Sequence, residues 1–297
     1  MTIDVRDKLL DAHIHVHSPD FTKYPLAPGF ERSDLWYPSM TTDDYAGYAR
    51  RFGTVRANLV QPTWYGLDHT YIIDCIARAP DQYVGTGIVP AVSDVALPPP
   101  DRAMLRLSQQ GIRAFRIRGG SARGRFGGKT NWLDYPGYDA MFEAAANHGL
   151  ALSFLIGPDD LPEIDRMCSR FPDTRVVIDH VAGIRVRDGR FPADHVDTLC
   201  SLARHRNVTV KLGPLHVLGD QPPPFLDLLP LLRRVIDAFG PDRCMWETDI
   251  GGPVPMSHPE EVYAATVKLI LDHADFLSDG DRESILYRTA QRMLFWG

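Results

Sequence analysis

The chain has no apolar run approaching the ~20 residues that a membrane-spanning helix requires. A spanning segment is therefore not expected. Its four cysteines, Cys75, Cys168, Cys200 and Cys244, fall without CxxC or CxxxC spacing, which argues against a cysteine metal framework and a disulfide-stapled fold. The opening MTIDVRDKLLDAHIH lacks the apolar stretch of a signal peptide, so a reducing cytoplasm is the expected compartment. Positive charge is not in excess: 32 Lys and Arg against 38 Asp and Glu give −6, leaving no global field to draw nucleic acid or an anionic membrane. A small-molecule substrate is the expected partner. A homo-oligomer stays open, since no interface is legible. No internal repeat or interdomain linker stands out, so residues 1–297 read as one domain. Missing too is the glycine-rich phosphate turn of an open doubly wound sheet: after the first apolar run the chain reads His-Val-His-Ser-Pro.

What is present is alternation. Short β-branched or apolar runs at Leu9–His15, Val55–Gln61, Tyr83–Val89, Ile112–Ile117, Ala151–Leu155, Val176–Asp179, Val208–Leu212 and Cys244–Thr248 are separated by amphipathic stretches such as Asp43–Phe52, His69–Arg78, Tyr138–His148, Leu161–Phe171, Phe225–Phe239 and Glu260–His273. Eight βα units close most simply as a (β/α)₈ barrel, the α/β TIM-barrel class. Asp160 and Glu163 form a capping-box pattern before the fifth helix. The prolines at 98–100 and 222–224 read as stiff turns before helices. Long irregular stretches, Ser18–Met40, Gly119–Pro136, Gly213–Pro224 and Ile250–Pro259, all follow strands, so in a barrel they gather at the C-terminal face where active sites are built.

Three strand ends carry chemistry. Asp11, His13, His15 and His17 alternate with Ala12, Ile14 and Val16, which places the four polar side chains on one strand face. Burying that face without partners is costly, so metal ligation or carbonyl polarisation is preferred over isolated core histidines. The sixth run ends at Asp179-His180 and turns through Val181-Ala182-Gly183; the eighth ends at Thr248-Asp249 and breaks into Gly251-Gly252. His13, His15, His180 and Asp249 thus form the predicted catalytic set. On the fourth run, alternation puts Arg116 and Arg118 on the same side as Ala114, and two guanidinium groups facing one cavity suit an anionic substrate. The loop residue Arg123 offers another fork. Tyr24, Trp36, Tyr37, Trp64, Tyr65 and Trp132 are available to wall a pocket, with Trp64 and Tyr65 taken as substrate contacts. His69, His148 and His216 have no spacing argument and read as surface or structural.

These motifs, His-x-His on the first strand, IDHVAG on the sixth and W-x-T-D on the eighth, resemble the amidohydrolase superfamily. NLVQPTWYGLDH, GIRAFRIR, FPDTRVVIDHVAG and NVTVKLGP extend the likeness over essentially the whole chain, nearest to the amidohydrolase-related lactonases and decarboxylases. The resemblance implies that Arg116 grips a substrate carboxylate, and Lys211 of NVTVKLGP joins the substrate-binding set. The fifth run, Leu152-Ser153-Phe154-Leu155-Ile156, lacks the histidine of metal-dependent members, and the fourth lacks the bridging lysine of dinuclear ones. This pattern is similar to the lactonase branch of pyrone-dicarboxylate and sugar lactonases, where metal can be dispensable. Either no cofactor is required, or a single divalent ion, zinc by ligand type, sits on His13, His15 and Asp249 with a water.

The expected activity is hydrolysis of a lactone or related cyclic ester by water activated at Asp249, while His13, His15 and His180 polarise the carbonyl. A zinc-dependent non-oxidative decarboxylase and a non-catalytic metabolite-binding barrel are the alternatives.

Overall fold

The computed structural model describes residues 8–35, 37–119, 132–252 and 258–296. Eight parallel strands pair in sequence order: β1 (Leu9–Ile14), β2 (Thr54–Val60), β3 (Tyr83–Ile88), β4 (Ile112–Arg118), β5 (Ala151–Leu155), β6 (Arg175–Ile178), β7 (Val208–Lys211) and β8 (Cys244–Met245). The first and last meet through Ala12 N–H to Trp246 O (3.1 Å), Asp249 N–H to His13 O (2.9 Å) and His15 N–H to Ile250 O (2.9 Å), which close the expected (β/α)₈ barrel. Seven strands agree with the sequence reading to within one residue at each end. The eighth stops early because its next amides bond elsewhere: Trp246 N–H to Ile285 O, Thr248 N–H to Asp11 Oδ1.

Inside the barrel, composition changes along the axis. At the N-terminal end Leu10, Ala12, Val84, Ala114, Ala151, Val177 and Met245 pack with Tyr287, Ala290, Met293 and Leu294 from the end of the chain, sealing that end with apolar volume. Toward the C-terminal end the inward residues are polar: Asn58, Thr86, Arg116, Ser153, Asp179, Lys211 and Glu247. Asn58 spans two strands, donating to Ala12 O (3.0 Å) and Thr86 Oγ1 (2.9 Å). Polar groups at this depth need such partners, and the polarity gradient fixes where chemistry can occur.

The one-face reading of the first strand needs correction. The β1/β2 register shifts between Asp11 and Ile14, a bulge that breaks the period-2 alternation. Ala12 faces the barrel interior, while Asp11 turns toward Tyr45 on α1 (Thr42–Ala49) and accepts from Thr248 Oγ1 (2.6 Å), Thr248 N–H (3.1 Å) and His13 N–H (3.2 Å). Burial pushes its carboxyl up to about 7 despite these donors. His17 also leaves the set: its Nε2 lies 2.9 Å from Tyr37 O.

The outer layer follows the amphipathic stretches. Helices α2 (Thr70–Arg78) and α3 (Pro100–Ser108) precede α4 (Pro136–His148), α5 (Leu161–Arg170) and α6 (Ala193–Ser201), and their apolar faces meet Leu59, Phe115, Phe154 and Ile178 on the outer face of the barrel. Pro100 occupies the first position of α3, where a missing N–H costs nothing. The Asp160/Glu163 capping box does not form as expected: Asp160 reaches back to Gly157 N–H (3.2 Å) and Glu163 accepts Leu133 N–H (3.0 Å).

Gly251 shows how tightly the C-terminal face is built. Its φ is +76°, and a Cβ there would lie 2.1 Å from His15 O, a backbone atom unable to swing aside. Gly29 has φ +90° with nothing within 4 Å. Gly29→Ala should therefore cost only the left-handed conformation, about 1–2 kcal/mol, whereas Gly251→Ala should cost more than that and displace the His15 segment. Denaturant unfolding of both variants checks the contrast.

Candidate active site

Each site residue is delivered by a local irregularity. The β1 bulge turns His13 inward two residues after the outward Asp11, and His15 follows it. After β6, residues His180, Val181 and Ala182 hold φ of 58°, 50° and 53°, three consecutive left-handed positions that end on Gly183. Asp249, just beyond β8, also has φ 56°. Non-glycine residues pay about 1–2 kcal/mol each for this conformation, and such strain clusters at functional sites. Here it turns His180 and Asp249 over the barrel mouth.

Hydrogen bonds fix the imidazoles. His15 Nδ1 lies 2.7 Å from Val60 O, which can only accept, so His15 carries its proton there and bares Nε2. His13 Nε2 is 3.0 Å from an Arg116 guanidinium nitrogen, an obligatory donor, so His13 bares Nε2 as well. The two Nε2 atoms are 3.2 Å apart, and Asp249 Oδ1 lies 3.2 Å from that of His15 and 3.5 Å from that of His13. Asp249 Oδ1 is buried with no donor aimed at it. Two acceptors without a donor, His15 Nε2 and Asp249 Oδ1, thus face each other beside the Arg116-bound Nε2 of His13.

A buried ion cluster lies beneath. Asp179 bonds Arg116 through Nε and Nη2 (3.2 Å each), Lys211 Nζ (2.9 Å) and Ser153 Oγ (2.8 Å). Burial would raise Asp179, but Lys211 and Arg116 outweigh it and hold its carboxyl far below the usual range. Burial depresses His13, aided by Lys211 and Arg116, and depresses His15 against the pull of Asp249; both rings are held neutral. Burial also opposes the charge on His180 and Asp249. Glu247 nevertheless raises His180, and the positive charges of His180 and Arg116 hold Asp249 low. Of the three carboxyl groups here, Asp179 pairs with Arg116 and Lys211, while Glu247 and Asp249 meet histidines.

Above this lies a pocket of about 260 Å³ lined by His15, Trp64, Arg116, Arg118, His180, Arg185 and Asp249, with Leu155, Ile156 and Val217 as apolar wall. The four predicted catalytic residues therefore come together. Arg116 arrives too, yet it is already paired with Asp179, so the expectation that it waits for a ligand carboxylate is corrected. Arg118 and Trp64 line the pocket. Tyr65 does not: it is buried and its hydroxyl accepts Ser18 N–H (3.0 Å). Lys211 lies below, bound to Asp179. Arg123 and Trp36 lie outside the described residues. Sequence reasoning missed Asp179, Glu247 and Arg185. Alternation with inward Val177 and Met245 was an available signal for the first two; Arg185 had none.

The donor set fits a single divalent cation, since bare imidazole nitrogens and an orphaned carboxylate oxygen are what such an ion binds. One ligand atom each from His13, His180 and Asp249 lies within 4.8 Å of the others, so His180 joins the ligand types that the sequence limited to His13, His15 and Asp249.

An eight-stranded parallel barrel with a His/His/His/Asp mouth defines an amidohydrolase-type protein. The amidohydrolase family model matches residues 10–296, and the chain belongs to that family. It is 30% identical over 243 residues to L-fucono-1,5-lactonase of Burkholderia ambifaria, covering 81% of this chain and 79% of that one. It is 25% identical over 240 residues to 4-sulfomuconolactone hydrolase of Hydrogenophaga intermedia, covering 80% and 73%. A probable 2-pyrone-4,6-dicarboxylic acid hydrolase from Acinetobacter baumannii, solved with citric acid bound, superposes with a TM-score of 0.73 at 17% identity, covering 97% of this chain and 99% of that one.

Asp179→Asn should leave Arg116 and Lys211 as uncompensated buried cations, destabilising the fold by about 3–5 kcal/mol at pH 7. The pH dependence has a definite sign. The folded value of Asp179 is depressed, so its contribution is fully present above the unfolded value near 3.8 and is lost only as pH falls toward the folded one. The deficit of the variant should persist throughout pH 5 to 8 in denaturant titrations; a deficit confined to alkaline pH would contradict this.

Proposed function

We propose that the chain is a hydrolase that opens a small lactone or related cyclic ester. The observation that carries this reading is the convergence, in one pocket, of a carboxylate held ionised with bare imidazole nitrogens and a fixed guanidinium. In this mechanism water sits between Asp249 and the reacting carbonyl carbon, and Asp249 takes its proton as the water attacks. The tetrahedral oxyanion develops beside Arg116 and His180, whose dipoles and charge are already oriented and need no reorganisation. Asp249 then returns the proton to the leaving ring oxygen, which completes ring opening. If a divalent ion is held by His13, His15 or His180 together with Asp249, zinc being the expected ion, it supplies Lewis-acid polarisation of the carbonyl and a more acidic water.

Pocket size narrows the substrate. A volume of about 260 Å³ is at the low end for ligand sites, so it suits one five- or six-membered ring with few substituents. Arg118 and Arg185 on its wall favour a carboxylate or another anionic substituent; Arg185 is exposed and has no partner among the described residues. The named relatives that act on lactones support the reaction type. All four cysteines are free, which supports a reducing compartment such as the cytoplasm. Among the described residues no helix is long and apolar enough to cross a membrane. The family match over residues 10–296 supports reading residues 1–297 as a single barrel domain.

The purified protein, incubated with carboxylated and hydroxylated lactones and with aromatic acids, should release acid from a lactone and no carbon dioxide. A carboxylated lactone should react faster than its methyl ester. Asp249→Asn should lower kcat by about 10²-fold or more, the scale of a lost general base, with the fold intact. Carbon dioxide from an aromatic acid with every lactone untouched would overturn the proposal, as would near-normal turnover by the variant.

A further inference from the structure

Glu247 is a fully buried carboxylate of the site that the proposed reaction does not use and that, unlike Asp179, pairs with no Lys or Arg among the described residues. It lies between β8 and the catalytic Asp249, on the same inward parity as both Met245 and Asp249. Its carboxylate touches no Lys or Arg among the described residues. Instead each oxygen meets a different ring: Oε1 is 2.7 Å from His180 Nδ1, and Oε2 is 3.0 Å from His13 Nδ1. Space for the side chain comes from β7's end, where a Cβ on Gly213 would lie 2.6 Å from Glu247 Cγ.

We propose that Glu247 is a positioning residue that aims two imidazoles at once, accepting the Nδ1–H of both His13 and His180 and so turning both Nε2 atoms to the pocket. A buried carboxylate that pairs with no Lys or Arg among the described residues needs N–H groups, and these two rings are its partners within reach. For His180 the 2.7 Å contact is unambiguous. For His13 there is a competitor. Glu247 Oε2 stands off the line of an ideal N–H bond, and Lys211 Nζ lies 3.3 Å from the same Nδ1 and would require that nitrogen bare. Lys211, however, is already engaged by Asp179 at 2.9 Å, while Arg116 donates to His13 at the opposite nitrogen, Nε2, from 3.0 Å. A neutral ring can bare only one nitrogen, and the shorter contact on each side assigns the proton to Nδ1. Orientation of this kind, through the nitrogen that does not face the reaction, is how a buried carboxylate sets both the tautomer and the angle of a functional histidine.

The proposal rests on the hydrolase reading only for its activity readout; its structural readout is independent of any substrate. In the full chain with ¹⁵N-labelled histidine, long-range proton–nitrogen spectra of the wild type should show Nδ1 protonated in His13, His15 and His180. In Glu247→Gln the amide can accept from one ring but presents N–H to the other, so one of His13 and His180 should move its proton to Nε2. His15, held by Val60 O, should stay unchanged and serves as the internal control. On a lactone that the wild type opens, Glu247→Gln should lower kcat by about 10–100-fold, the usual scale for a lost orienting partner, with KM within about threefold. A bare Nδ1 on either His13 or His180 in the wild type overturns the proposal without recourse to any variant, as does a Glu247→Gln spectrum and kcat identical to wild type. If no lactone is a substrate, the hydrolase reading fails while the wild-type spectrum still decides the role of Glu247.

Discussion

Everything at the mouth of this barrel depends on neutralising one buried carboxylate. Asp179 is fully buried, and the paired approach of Arg116 from β4 and Lys211 from β7 does most to make its charge tolerable there. Those two cations in turn crowd His13, bias it to the neutral state and direct its bare nitrogen upward. A cluster that looks structural thereby determines the protonation of the residues above it. The same pairing explains why Arg116 cannot be treated as a free anion receptor. Its guanidinium is part of the scaffold, with one edge left to face the pocket.

Backbone strain and side-chain order then act together. Left-handed positions at His180 and Asp249 bring two strand ends over the axis, and hydrogen bonds to Val60 O and Arg116 hold the remaining imidazoles at fixed angles. Nothing needs to reorganise when charge develops on a substrate oxygen, which is the condition under which oriented dipoles are most effective. Whether the positive partner of Asp249 is a proton on His180 or a divalent ion, the bare His15 nitrogen and the orphaned Asp249 oxygen require one. This requirement follows from the geometry alone.

Much of this was legible in the sequence, for identifiable reasons. Eight alternating runs gave the barrel, and residues at strand tips gave His13, His15, His180 and Asp249, because a strand's C-terminal end has only one destination in this fold. Even parity on β4 placed Arg116 and Arg118 inward. Where reading failed, a local or tertiary term intervened. The β1 bulge cannot be seen in an alternating pattern, so Asp11 and His17 were assigned to a face that they leave. Tyr65 looked like a pocket aromatic but packs inside its loop, where Ser18 satisfies its hydroxyl. The role of Asp179 as a partner for Arg116 is a contact between strands β4 and β6, which no local window contains.

The central claim is that Asp249 acts as a base on water and not as a nucleophile. A single turnover in ¹⁸O-enriched water, with enzyme in excess over a lactone substrate, tests it most directly. The account predicts one ¹⁸O in the product carboxylate on the first turnover, none in the newly formed hydroxyl, and none in the Asp249 peptide by mass spectrometry. Unlabelled product on that turnover, with ¹⁸O appearing in the Asp249 carboxyl group, would contradict it.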